Sequence, residues 1–381
     1  MNINIYSPEL FGALVKETSF EGKTESLTPL TNVTFFLGAG FSKSWDNTFP
    51  TGYDLFNFKV DDYSDDLSEF VLNIGFPDKL DYSLFRDMTY YLSMQKKYSV
   101  LKSRYLDTYN ISKIENEINY VITKRFNSLC RLNYLQMSTG KMKFNSINES
   151  QRNILRFFSW IHKQTTGENT IPEGLRPHFI TTNYDFLIES ILDMIIGEDD
   201  SYSLYTYRGI SPDTINNIKP PTIMYNHWLV NSLIKVNGGF EIFKSNKGYN
   251  LNYIIKNDED LKKNAPTLIL PNREQDYTGS YFKEIFPKAI RILHESKILV
   301  IVGYSLPEED ALLRLLIRQF AEENVDLSEK FIFYISTSNE EEQYKKLHSV
   351  YPYLNQRLKE RIITYSGTFN SWIEEVLKFI S

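Results

Sequence analysis

Five short apolar runs, each stopping abruptly at a turn residue, constrain this chain more than any other feature of its sequence. Residues 33–37 (VTFFL) stop at Gly38, 178–181 (HFIT) at Thr182-Asn183, and 298–302 (ILVIV) at Gly303. Residues 331–335 (FIFYI) stop at Ser336, and 361–365 (RIITY) end near Gly367. Runs apolar on both faces suit a parallel sheet covered by helices on each side. Helical spacing lies over 185–196, 310–320 and 371–380, after the second, third and last of these runs. This strand–helix alternation predicts an α/β, doubly wound parallel sheet.

Residues 54–170 read differently. Leu, Ile, Phe and Tyr recur at helical spacing over 85–106, 114–135 and 153–162, and no convincing parallel strand lies among them. They predict a large helical insertion between the first and second strands, leaving 1–53 and 171–381 to form the sheet domain. Residues 203–264, rich in Asn, Lys, Tyr and Gly, are expected to form short strands and loops over the sheet. With 42% hydrophobic residues among 381, the chain has ample material for a core, which excludes wholesale disorder.

Charge narrows the function classes. The 42 basic and 48 acidic residues give a net charge of −6 with no polybasic arm, so electrostatics do not argue for nucleic-acid binding. No apolar run approaches the roughly 20 residues of a membrane span, and the first residues lack the layout of a signal peptide. A cytoplasmic protein is the expectation. The single cysteine, Cys130, excludes a disulfide framework and any zinc site built on several thiolates.

Ligands of open α/β sheets bind beyond the carboxyl ends of the strands, and three strand ends carry unusual sequences. After the first comes Gly38-Ala39-Gly40-Phe41-Ser42. Paired glycines permit a tight turn and a close approach to a phosphate, and a helix starting there adds an anion site. Lys43 stands where the third glycine of the dinucleotide fingerprint would fall. A plain strand-to-helix turn is the competing reading. The second end, Thr181-Thr182-Asn183-Tyr184-Asp185, gathers hydrogen-bonding groups, although Asn183 and Asp185 also suit helix caps. The third is Gly303-Tyr304-Ser305, followed by Leu306-Pro307-Glu308-Glu309-Asp310. Pro307 to Asp310 read as an ordinary helix start, which leaves Gly303 and Ser305 unexplained.

In this order, GAGFS, TTNYD and GYSLPEED resemble the sirtuin-like (silent-information-regulator) family, whose Rossmann-type domain binds NAD. Pro50-Thr51-Gly52 and Leu268 to Pro271 (LILP) belong to the same resemblance, which runs in pattern from Asn32 to Ile380. It leaves the insertion and residues 203–264 without strong motifs. The resemblance implies that Gly38, Ala39, Gly40, Phe41 and Ser42 line the pyrophosphate and nicotinamide-ribose side, and that Asn183 is the catalytic residue at that ribose. Thr182 belongs to the same ligand-binding motif, Asp185 holds the loop or the nicotinamide pocket in place, and Gly303 and Ser305 receive the adenosine half. Cleavage of the nicotinamide–ribose bond passes through an oxocarbenium-like state, so such a site must orient the ribose, position a water and stabilise positive charge.

The family usually has a strand ending in a Lys-Leu-His-Gly type motif, whose histidine serves as base. Here one match is Ile234-Lys235-Val236-Asn237-Gly238, with Asn237 in the histidine's place. Another is Ile223 to His227, which supplies a histidine without the glycine. Both His227 and Asn237 are therefore candidates. His162, His178, His294 and His348 read as structural or exposed.

Deacylases of the family carry a four-cysteine zinc module, which one cysteine cannot build. The resemblance therefore turns toward NAD-hydrolysing effectors of bacterial anti-phage defence, with NAD as substrate and no metal. Such effectors assemble into homo-oligomers and work beside a HerA-type ATPase, a short Argonaute or another sensor. The aromatic insertion is a candidate for self-association, or simply packs a core. The alternative function is an NAD- or ADP-ribose-binding sensor or scaffold without turnover. A nuclease or nucleic-acid binder has little support.

Overall fold

The computed structural model describes residues 6–18, 31–98, 108–130, 134–136, 142–164, 174–196, 206, 208–217, 219, 231–254, 256–274, 277, 279–322, 330–352 and 356–381. Six strands form the central sheet: β1 (Thr31–Leu37), β2 (Leu175–Thr181), β3 (Leu233–Lys235), β4 (Ser296–Val302), β5 (Phe331–Ser336) and β6 (Ile362–Ser366). All five pairings between them are parallel, in the order β3-β2-β1-β4-β5-β6. The chain winds outward from β1 in one direction, returns to its other side, and winds outward again. That is the strand order of a Rossmann-like doubly wound sheet. The expected fold class is present at this level, as an all-parallel α/β sheet flanked by helices.

The principal helices are α1 (Ser7–Thr18), α2 (Ala39–Trp45), α3 (Asp65–Asn73), α4 (Tyr82–Lys97), α5 (Thr108–Leu129), α6 (Glu149–Lys163), α7 (Leu187–Ile195), α8 (Ser280–Glu295), α9 (Ala311–Arg318), α10 (Glu340–Val350) and α11 (Phe369–Ile380). Successive strand residues point to opposite faces, so each face of the sheet receives its own helical cover. One cover brings together α1, α6, α7 and α11, with Phe11, Phe157 and Trp372 meeting as rings and Phe11 reaching Phe35 and Phe333. The other is made by α8, α9 and α10. Every residue of β1 is buried, as its unbroken apolar run requires.

Residues 54–170 contain α3, α4 and α5, together with short antiparallel pairs at Phe58–Lys59 with Lys79–Leu80 and Tyr134–Gln136 with Met142–Phe144. They also contain α6, which packs against α7 and α11 beside the sheet. A capping box of Asn148 and Gln151 starts α6. Helices α1 and α8, absent from the sequence expectation, complete the two covers. Helix α8 carries Pro287 in its interior, a residue that argues against a helix on sequence alone.

Candidate functional site

The carboxyl ends of the strands open on a cavity of about 1140 Å³. It lies where β1 and β4 are neighbours and the direction of winding reverses, the position at which open α/β sheets receive ligands. Small-molecule and cofactor sites occupy roughly 300–1,000 Å³, so this cavity has the capacity for an extended ligand.

Its floor is two loops in direct backbone contact. The Gly38 N–H donates to Val302 O and the Gly40 N–H to Gly303 O, both at 2.9 Å. A Cβ on Gly38 would lie 2.6 Å from Gly303 O, one on Gly40 would lie 2.7 Å from Gly303 Cα, and one on Gly303 would lie 2.4 Å from Phe41 N. Gly303 also has a φ of +61°, where an L side chain is strained. The glycines expected to admit a phosphate thus have a nearer duty, which is to admit one another. The Gly40 amide is already committed to Gly303, so fewer amides remain for an anion at the start of α2 than an isolated helix start offers.

Beside this floor stands Asn183. Its Nδ2 donates to Gly38 O at 2.9 Å and to Ser42 Oγ at 2.9 Å. Ser42 in turn donates to Asp185 Oδ2 at 2.8 Å, and the Leu187 N–H donates to Asp185 Oδ1 at 3.0 Å. Both amide hydrogens of Asn183 are used, which leaves Oδ1 to accept from a ligand. Thr181 Oγ1 receives the Asn183 N–H at 3.0 Å and fixes the turn. Asp185 therefore both bonds the first turn of α7, as its capping reading expected, and holds Ser42. Asn183 caps nothing. Burial pushes the Asp185 carboxyl upward, while Leu187, Lys235 and Ser42 pull it back.

Under this loop lies a buried charge network that sequence reading missed. Lys235 Nζ donates to Asp185 O at 2.6 Å and to Glu241 Oε2 at 2.8 Å, and pairs with Glu189 Oε1 at 3.0 Å. Arg208 reaches the same Glu189 oxygen at 3.0 Å. Burial, with Glu189 adding to it, pushes Glu241 up to about 7 against the pull of Lys235 and Arg208. Burial acts to lower the Lys235 pKa, but Glu189 and Glu241 outweigh it and hold it above the ordinary value. The sequence signal was faint: a lysine inside a three-residue strand, and a glutamate in the apolar helix α7.

Asn237 follows β3 and lines the cavity. Its Nδ2 donates to Thr182 O at 3.2 Å, and Tyr277 Oη lies 3.5 Å from its Oδ1. The segment Ile234 to Gly238 therefore ends beside the Asn183 loop. The other candidate, His227, lies outside the described residues. Ala39, Gly40, Ser42, Thr182, Asn183, Asp185, Asn237, Gly303 and Ser305 all line the cavity. Gly38 takes part through its carbonyl. Phe41 does not face the cavity; it is buried against Phe158 and Phe369.

One expectation changes at the third strand end. Asp310 is at the N-cap of α9 but makes no side-chain cap. Its Oδ2 instead accepts from the Tyr304 hydroxyl at 2.6 Å, and both residues line the cavity. The insertion supplies the opposite wall with Leu55, Phe56, Tyr82 and Phe126. Near this wall the Tyr53 ring, 70% exposed, lies 4.7 Å from that of Tyr82. Tyr184 and Tyr304 sat inside the motifs as unassigned letters, whereas nothing in the sequence pointed to Tyr82 or Phe126. Burial raises the phenol of Tyr82 to about 12 and that of Tyr184 further, so both stay protonated, and Tyr184 donates to Ile269 O at 2.7 Å.

Two residues lie away from this chemistry. Burial and then Arg176 depress His178 to about 3, and its Nδ1 accepts the Ser232 N–H at 3.1 Å, a structural role. Cys130 is buried, with its thiol pushed up to about 12, chiefly by burial. No helix among the described residues is long and apolar enough to cross a membrane. Compared with known proteins, the chain matches no family model, and a search of curated proteins finds no match.

Proposed function

We propose that the cavity binds NAD and hydrolyses its nicotinamide–ribose bond, releasing nicotinamide and ADP-ribose. The observation that carries this reading is the fixed amide of Asn183, whose Nδ2 is held by Gly38 O and Ser42 Oγ so that Oδ1 remains to accept a ribose hydroxyl or a water. The Rossmann-like strand order and the position of the cavity at its switch point add to it. So does the resemblance to sirtuin-like proteins.

The chemistry asks little of a base. The C1′–N bond breaks with its electron pair passing to the pyridinium nitrogen, and nicotinamide leaves as a neutral molecule. Water oxygen bonds to C1′ and sheds its proton to solvent. The demanding part is the positive charge that develops on the ribose. Carboxylates and amide oxygens stabilise it, and Asn183, Asn237 and Asp310, at the ends of three strands, are among the lining residues that carry such atoms.

The test is nicotinamide release by the purified full chain, alone and beside its genetic neighbour. Asn183→Ala lowers release by at least about a hundredfold, in the range seen when a preorganised polar group is removed from a reacting centre. Undiminished release by that variant sinks the role of Asn183. By the same resemblance we propose that the activity serves as an NAD-depleting anti-phage effector, working as a homo-oligomer with a HerA-type ATPase or another sensor. Co-purification with the neighbouring gene product, and NAD loss only when both are present, tests that arrangement.

One observation favours a second reading, a subunit that binds NAD or ADP-ribose without turnover. Among the described lining residues there is no histidine, and one of the two matches to the family pattern puts Asn237 in the histidine's place, the other His227. Calorimetric binding without nicotinamide release, together with a gain of release in Asn237→His, selects this reading.

A further inference from the structure

The described lining of the cavity is poor in positive charge. Among its described lining residues, Lys43 alone is a lysine, arginine or histidine. The four lining carboxylates are each engaged nearby. Asp46 accepts from Thr48 N at 2.8 Å, Asp185 from Ser42 at 2.8 Å, Asp310 from Tyr304 at 2.6 Å, and Glu309 pairs with Arg86 at 3.4 Å. Lys43 is held more loosely. Its ion-pair partner is Asp54 at 3.8 Å, and the two side chains are 42% and 54% exposed. The same Asp54 oxygen already accepts from the Thr51 amide at 3.0 Å and the Thr51 hydroxyl at 2.7 Å. An exposed pair of this kind contributes little to stability, so the ammonium can turn to a stronger anion at small cost.

Its place on α2 is specific. Phe41 alone of this helix turns away from the cavity and is buried. Ala39, Gly40, Lys43 and Ser44, three and four residues apart, share one face, and all four line the cavity, as the buried Ser42 and Trp45 also do. The lysine therefore lies on the same face as the glycine loop, at the position where the dinucleotide fingerprint carries its third glycine.

We propose that Lys43 is the pyrophosphate partner of this cavity and makes it select ligands with a diphosphate bridge over nucleosides. The inference rests on reading the cavity as an NAD site and adds what determines its substrate class. A dianionic bridge brought among four carboxylates needs a cation, and a charge-assisted hydrogen bond from an ammonium to a phosphate oxygen supplies both attraction and direction. The bond replaces the weak Lys43–Asp54 pair, and Asp54 keeps its two Thr51 donors.

The experiment measures binding to the full chain by calorimetry, with ADP-ribose and adenosine as probes. Lys43→Met weakens ADP-ribose about ten- to hundredfold, the usual scale for a hydrogen bond to a charged group. It leaves adenosine within about twofold and flattens the salt dependence of ADP-ribose binding. Lys43→Arg retains most of the affinity. Lys43→Met that binds ADP-ribose like the wild type, or that weakens both probes equally, overturns the role of Lys43 while the NAD site stands. A wild-type chain that binds neither probe overturns the NAD reading, and the role of Lys43 falls with it.

Discussion

On the sheet side of the cavity, backbone meets backbone. Gly40 bonds Gly303, Gly38 bonds Val302, and a buried lysine ties the Asp185 carbonyl to two glutamates. On the insertion side, long side chains make the connections. Arg125 of α5 donates to the carbonyls of Asp54, Leu55 and Asn57 at 2.6, 2.7 and 2.7 Å, holding the turn that carries Leu55 and Phe56. Helix α4 is tied by Thr89 to Pro271 O at 2.7 Å and by Arg86 to Glu309 at 3.4 Å. The first set cannot move without disturbing the parallel sheet. The second joins the rest of the molecule through partly solvated side-chain bonds and ring packing such as Phe126 on Phe240, and is expected to part locally before the sheet does. The sheet wall is therefore the more preorganised of the two, and the insertion wall is expected to open first.

The largest expected effect breaks the sheet side. Lys235→Met leaves Glu189 and Glu241 buried without the ammonium between them. Removing one partner from such a network costs about 3–5 kcal/mol. Urea unfolding of the variant measures it, and a loss below about 1 kcal/mol means that water reaches these carboxylates.

A pair of glycines sharpens the comparison. Gly303 has a φ of +61° and Gly75 a φ of +87°, so alanine at either pays the left-handed strain of about 1–2 kcal/mol. At Gly75, which follows α3 in the insertion, the new Cβ meets nothing within 4 Å, whereas at Gly303 it meets Phe41 N at 2.4 Å. Gly303→Ala therefore costs about 2–4 kcal/mol once loop crowding is added. Equal melting shifts for the two variants contradict the idea that loop-to-loop contact braces the sheet side.

The same contrast explains what could be read in advance. Strands β1, β2, β4 and β5 were legible because burial on both faces leaves continuous apolar runs, and the edge strand β6, where only Ile363 is buried, because its run is β-branched and aromatic. Strand β3 has three residues, one of them Lys235, and carries no such run. The glycines, Asn183 and Ser305 were legible because a Rossmann-like sheet delivers strand ends to one crevice. Asp310 was misread because a helix start and a hydroxyl partner both use an acidic residue, and only the fold brings Tyr304 beside it. Glu189, Arg208 and Glu241 resemble surface residues until α7 and β3 bury them. Tyr82 and Phe126 reach the cavity from helices whose sequences signal only packing.

A smaller effect comes from pH. Glu241 has a folded pKa of about 7, raised above its ordinary 4.5 chiefly by burial. The native state thus holds this proton more tightly than the unfolded chain. The associated stability is fully present below about pH 4.5 and is lost as pH rises through about 7. Thermal melting across this window should fall in the wild type and flatten in Glu241→Gln. An unchanged slope in the variant assigns the titration to another group.

The smallest expected change in stability lies on the insertion side. Arg86 and Glu309 are 20% and 31% exposed and 3.4 Å apart, a pair worth about 0–1 kcal/mol. The Arg86 Nε is buried without a partner, so Arg86→Met also removes a cost, and the aliphatic replacement keeps packing on the Tyr82 ring. Global stability should therefore shift by less than about 1 kcal/mol. What changes is local. With one tie to the loop after β4 gone, hydrogen exchange along α4 should quicken while exchange in β1 and β4 stays as it was. Destabilisation as large as that of Gly303→Ala would make the insertion part of the rigid frame, leaving the cavity with two fixed walls.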